Sequence, residues 1–108
     1  MPNTKKLKFI VTDNAYAMLS THFHFLAQVS KIAANRLIAS FKSSSKRIAA
    51  SPLQFPLADD GDAPGIPPNT YRKCLFEHRY KIIFFMNDEV ISIDAVLDTR
   101  MENKGIFQ

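Results

Sequence analysis

The final third of the chain alternates between apolar and polar residues in three short runs, and that alternation restricts the fold more than any other feature. Residues 71–76 (YRKCLF), 79–86 (RYKIIFFM) and 89–97 (EVISIDAVL) are rich in β-branched and aromatic side chains, which suit a pleated, half-buried surface. Asn87-Asp88 fits a two-residue hairpin turn and Glu77-His78 serves as the other, so the runs are expected to form an antiparallel meander. With those turns Phe84 pairs with Ile91, Ile82 with Ile93 and Tyr80 with Ala95, an apolar face that requires a cover of helices. The reverse face then carries Arg79, Lys81, Ile83 and Phe85 against Val90, Ser92, Asp94 and Val96, with Lys81 opposite Asp94. In the same register Arg72 falls opposite Ile83 and Cys74 opposite Lys81. Arg72, Arg79 and Lys81 therefore converge on the face away from the helices, while Lys73 turns to the core side, where a long stem at a sheet edge can reach back to water.

The covering helices are legible upstream. Leu7, Phe9 and Val11 alternate as a first strand. Thr12 and Asp13 are good N-caps, and Ala15, Met18, Leu19, His22, Phe25, Leu26 and Val29 form one helical stripe. Ser30 opens a second helix in which Ala34, Leu37, Ile38, Phe41 and Ile48 recur until Pro52 stops it, with serines 43–45 marking a place to bend or fray. Residues 51–70 (SPLQFPLADDGDAPGIPPNT) hold five prolines, two glycines and three aspartates, which predicts a loop long enough to be functional or mobile. The fold class is α+β: a strand, a helical hairpin and a three-stranded antiparallel meander, in one domain spanning residues 1–108.

Composition narrows the function classes. At 108 residues and 46% hydrophobic content the chain suffices for one core without staples, and the lone Cys74 cannot form an internal bridge, which points to a reducing cytoplasm. The basic start MPNTKKLKFIV has too short an apolar run for export or a membrane span. Fourteen Lys and Arg against ten Asp and Glu favour acidic partners and also serve solubility. Asp59, Asp60 and Asp62 lack the spacing and closing glutamate of a calcium loop. His22 and His24 are two apart on a helix and share no face, so no metal or cofactor is implied. Arg72, Arg79 and Lys81, extended by Arg100, are either ordinary solvated cations or a surface for phosphates or an acidic strand. Ile83, Phe85, Val90 and Val96 either line an apolar groove on that face or lie beneath the long loop.

The stretch YRKCLFEHRYKIIFF is similar to the Y-R-x-L-x-x-x-x-Y-R-hydrophobic hairpin of the RelE/ParE toxins of bacterial type II toxin–antitoxin systems. ISIDAVLDTRME resembles the closing strand and D/H-x-R-R-D-like tail of the ParE branch. The resemblance covers Leu7 to Glu102 and implies a helical hairpin on an antiparallel sheet and a cognate antitoxin that wraps and neutralises the toxin; the oligomeric state stays open, with a homodimer through the helices as one assembly of the free chain. It implies binding and inhibition of DNA gyrase, with the alternative a ribosome-dependent endonuclease acting on mRNA. For cleavage, Arg72 and Lys81 match two basic hairpin positions of the RelE branch, but Cys74 stands where a lysine is usual and Phe107 where a tyrosine is wanted. The acid/base set is thus incomplete.

Overall fold

The computed structural model describes residues 7–101; Glu102 and Phe107 lie outside them. Strand β1 (Lys8–Val11) leads into helix α1 (Asp13–Ala27), whose first turn is closed by the Thr12 hydroxyl accepting from Ala15 N at 3.1 Å. Ser30 repeats the device at the start of α2 (Lys31–Ala50), accepting from Ala33 N at 3.1 Å. Each cap satisfies a donor that the first helical turn would leave unpaired. After a 3-10 turn (Pro52–Gln54) and the long connection come β2 (Tyr71–Phe76), β3 (Tyr80–Met86) and β4 (Val90–Asp98). The sheet order is β1-β4-β3-β2, with β1 parallel to β4 and the other pairs antiparallel. The α+β arrangement expected from the sequence is the one observed. Serines 43–45 do not interrupt α2, because Ser44 packs inward with only 3% of its surface exposed.

Both faces of the sheet are covered. Under the helices, Ala15, Leu19, Leu37, Phe41 and Ile48 meet Ile82, Phe84, Ile91, Ile93 and Val96. On the far face, Ala58, Ala63 and Ile66 from the long connection meet Ile83, Ala95 and Leu97 in a second apolar cluster. The connection is therefore a strap. Phe55 packs edge-on to Phe84 on the helix side, with ring centroids 5.8 Å apart. The chain then rounds the outer edge of β2, where Lys73 N donates to Pro56 O (3.0 Å) and Ala58 N to Tyr71 O (2.8 Å). Those bonds cap part of a strand edge that would otherwise offer open backbone groups. Residues 51–70, expected as a loop that is functional or mobile and that lies over Ile83 and its neighbours in one of the two readings, do cover Ile83 and supply the second half of the core, because Ala58, Ala63 and Ile66 punctuate the polar run at the positions that face the sheet.

The register differs from the expected one at both turns. The β2–β3 connection has three residues, Glu77 to Arg79, and both Glu77 (φ 51°) and His78 (φ 60°) adopt the left-handed conformation. Phe76 consequently pairs with Tyr80, Cys74 with Ile82 and Arg72 with Phe84, one residue away from the predicted pairing. That slip turns β2 over: Arg72 faces the helix side, and Lys73 faces the strap beside Lys81. In the β3–β4 turn four residues, Asn87 to Val90, separate the paired Met86 and Ile91, with Asn87 Oδ1 accepting from Glu89 N (2.8 Å) and Val90 N (2.9 Å). A bulge then leaves Asp94 without a strand partner, so that Ile83 pairs with Ala95 and Ile82 with Val96. Lys81 lies opposite Leu97, not Asp94. Arg72, Arg79 and Lys81 therefore do not converge. Nor do Ile83, Phe85, Val90 and Val96 form one open face: Ile83 is sealed under the strap, Val96 is sealed under the helices, and Phe85 and Val90 are half-buried.

Candidate functional site

The cations singled out in the sequence fall into separate settings, each organised by a carboxylate or a carbonyl. On the strap face, Asp62 accepts from Lys81 Nζ at 2.6 Å and from Lys73 Nζ at 3.0 Å, and also from Asp59 N at 2.8 Å. Burial alone would push its carboxyl up, but the hydrogen bonds from Lys81, the Asp59 amide and Lys73 outweigh that and bring it down to about 2. Asp62 is therefore charged and holds both lysines under the strap. On the helix side, Arg72 Nη1 donates to Phe55 O at 2.6 Å, which fastens the strap where it leaves α2. Neither setting presents a bare cation to solvent.

Arg79 and Arg100, far apart in sequence, meet around Asp98. Asp98 ends β4 with 3% of its surface exposed, and its Oδ2 accepts from Arg79 Nε (3.1 Å) and Nη2 (3.0 Å). Its Oδ1 accepts from Arg100 N at 2.9 Å and lies 3.7 Å from Arg100 Nε, while the Arg100 side chain stays 62% exposed. Arg79 stacks over the Tyr80 ring at 5.2 Å. Beside them, His22 of α1 bonds to Val96 O through Nε2 at 2.8 Å and packs against Tyr80 with centroids 5.2 Å apart. β1 pairs with β4 only as far as Ile93, so His22 supplies a partner to strand backbone that β1 no longer reaches. The result is a cleft of about 530 Å³ floored by Tyr80 and Asp98, walled by Thr21, His22 and Phe25, and rimmed by Arg100 and Met101. In the sequence Asp98 stands only as the first residue of the DTRME tail and His22 only as one position of a helical stripe; the partners that give each its role are placed beside it by the final register.

A second cleft, about 490 Å³, opens between α2 and the β2–β3 turn. Ser40, Ser43, Ser44 and Arg47 line it from one helical stripe, and Glu77 and His78 line it from the turn. Ser40 Oγ donates to Glu77, tying the turn to the helix. Cys74 lies behind it, 2% exposed; burial pushes its thiol up against the smaller opposing effects of Arg47 and Ser44. A buried, protonated thiol is a poor nucleophile. Burial also raises the Tyr71 hydroxyl, reinforced by the charge and hydrogen bond of Asp94, so it too stays protonated at neutral pH. Among the described residues, the hairpin cations Arg72, Lys73, Arg79 and Lys81 are each engaged by a carboxylate or a carbonyl and are not grouped around a space for a reacting phosphate.

No family model matches the chain, and no curated protein matches it. Its shape does find a counterpart. A chain in the solved structure described as "Chromosomal ParDE TA system from P. aeruginosa" superposes with a TM-score of 0.66 at 16% identity, over 86% of this chain and 96% of that one. This chain has the RelE/ParE-like fold. A ParE-like fold at so low an identity is held by the pattern of apolar faces more than by particular side chains. Here that pattern includes a far face filled by the chain's own strap.

Proposed function

We propose that the chain is the toxin half of a type II toxin–antitoxin pair, ParE-like, acting by binding its target and neutralised by a cognate antitoxin. The observation that carries this reading is the shared fold, nearly end to end, with a chain from a ParDE system. The state of the cations supports binding over cleavage. Lys81 and Lys73 are engaged by Asp62, Arg72 by a carbonyl and Arg79 by Asp98, whereas phosphodiester cleavage needs free cations on the phosphorane and a general acid beside it. DNA gyrase is the proposed target. The antitoxin has an apolar surface to use on the outside of the helical hairpin, where Tyr16, Leu19, Phe23, Ile38 and Phe41 line a groove of about 420 Å³. Beyond that groove Phe25, Val29 and Ile32 stand 59%, 80% and 74% exposed, more apolar surface than a helix tip needs for its own packing.

The test is induction of the gene in a bacterial host, alone and together with the small reading frame beside it. Growth arrest relieved by that neighbour is expected. Arrest should come with a DNA-damage response and accumulation of cleaved DNA; arrested translation with cut messages would instead assign the endonuclease activity. Full growth at every induction level would refute the toxin reading.

A further inference from the structure

The cleft around Asp98 combines features that none of its residues explains singly. Its floor and walls are largely apolar, from Tyr80, Phe25 and the Met101 rim, and Phe25 and Met101 stand 59% and 61% exposed. Among the described residues two guanidiniums share one buried carboxylate, which leaves that part of the cleft net positive. Arg79 is firmly engaged. Arg100 is not, since 3.7 Å from Nε to Asp98 Oδ1 is beyond a hydrogen bond and its side chain is 62% exposed. A guanidinium is suited to a planar two-oxygen acceptor, which it binds through paired N–H groups.

We infer that this cleft is a docking site for an acidic segment of a partner polypeptide, which seats one apolar side chain between Phe25, Tyr80 and Met101 and sets a neighbouring carboxylate on Arg100. Charge argues for a peptide over a nucleic acid. Among the described residues two arginines less one aspartate leave about one uncompensated cation, whereas polynucleotide affinity is built from several phosphate contacts together. The apolar pocket likewise fits a side chain held by burial, with the charge pair setting its orientation. Asp98 prepares the site: through Oδ2 it fixes Arg79 against Tyr80, and through Oδ1 it fixes the Arg100 backbone, so the rim is formed before the partner arrives. Naming that partner as the antitoxin rests on the toxin reading, while the binding chemistry does not.

The experiment is an NMR titration of the full 108-residue chain with N-acetyl-phenylalanine, which carries one apolar side chain and one carboxylate, and with its uncharged primary amide. Backbone amides of Thr21–Phe25, Tyr80 and Asp98–Met101 should shift together and saturate with a dissociation constant of about 1 mM, the range open to a ligand of this size. The amide should bind at least about fivefold more weakly, a difference on the scale of one partly exposed ion pair. Arg100→Ala, at an exposed position, should keep the fold and erase the preference for the acid. Equal affinity for acid and amide, shifts centred on another surface, or no saturable response by about 20 mM would each overturn the inference. So would a single-stranded RNA oligonucleotide that shifts the same amides at a lower concentration than the acid does. Because the readout is binding alone, its failure leaves the growth-arrest test untouched, and absence of toxicity leaves the titration interpretable.

Discussion

Asp62 shows how a single carboxylate can decide the fate of two cations. Its side chain is 6% exposed and bonded to Lys73 and Lys81, themselves 28% and 12% exposed, so removing it strands two ammonium groups under the strap. Asp62→Ala is expected to cost about 3 kcal/mol in urea unfolding, the scale of breaking a mostly buried pair. Lys73→Ala and Lys81→Ala should each cost less, and the double mutant less than their sum, because they share one acceptor. Additive losses would mean that the two bonds are independent. The acid limb of stability follows from the same group. Its carboxyl sits at about 2 in the folded chain against roughly 3.9 in an unfolded one, so the unfolded state takes up the proton first. The stabilisation, about 2–3 kcal/mol, is complete above roughly pH 5 and is lost as the pH falls through about 2. Asp62→Asn should flatten that part of the pH profile. Sequence alone marked Asp59, Asp60 and Asp62 as one acidic run; which of them faces the lysines depends on how the strap rounds β2, and no local pattern encodes that.

At the scale of elements, periodicity read correctly wherever one face decides the structure. Ile82, Phe84, Ile91 and Ile93 do lie under the helices, and both helix starts were legible in Thr12 and Ser30 because capping chemistry is local. Turn length was not. Glu77 and His78 take left-handed backbone conformations with no glycine or asparagine to announce them, and the extra turn residue turns β2 over. The bulge at Asp94 does the same to the end of β4, carrying Val96 to the helix face and Leu97 to the strap. The helical stripe does not stay buried to its end: Phe25 and Val29 fit the period but stand 59% and 80% exposed. A left-handed histidine costs about 1 kcal/mol relative to glycine, so His78→Gly should raise the urea midpoint by the equivalent of about 0.5–1 kcal/mol. A lower midpoint would show that the His78 side chain is anchored by contacts worth more than the strain. If the strap is true core, Ile83→Ala should cost as much as Ile82→Ala, about 2–4 kcal/mol each. A cost below about 1 kcal/mol at Ile83 would mean that its cover is loose.

For the molecule as a whole, the open question is whether strap and sheet unfold as one unit or the strap lifts first. Two clusters share β3 and β4, back to back, and the strap adds backbone bonds at Pro56 and Ala58 as well as the Asp62 clasp. Each tie is modest, but lifting the strap would bare Ile83, Ala95 and Leu97 together with two lysines that have lost their counter-ion. That combined cost is expected to bind the strap into the global transition. Native-state hydrogen exchange reads this directly, because Ala58 N and Lys73 N bond across the strap–β2 junction whereas Ile82 N lies within the sheet. Protection of the first two within about tenfold of Ile82 is the expected result. Exchange more than about 100-fold faster would mean that the strap opens on its own, at a free energy well below global unfolding. In that case the far face, with Ile83, Lys73 and Lys81, would become a surface that a partner reaches by displacing residues 56–66. The neutralised state of those lysines would then describe only the closed form.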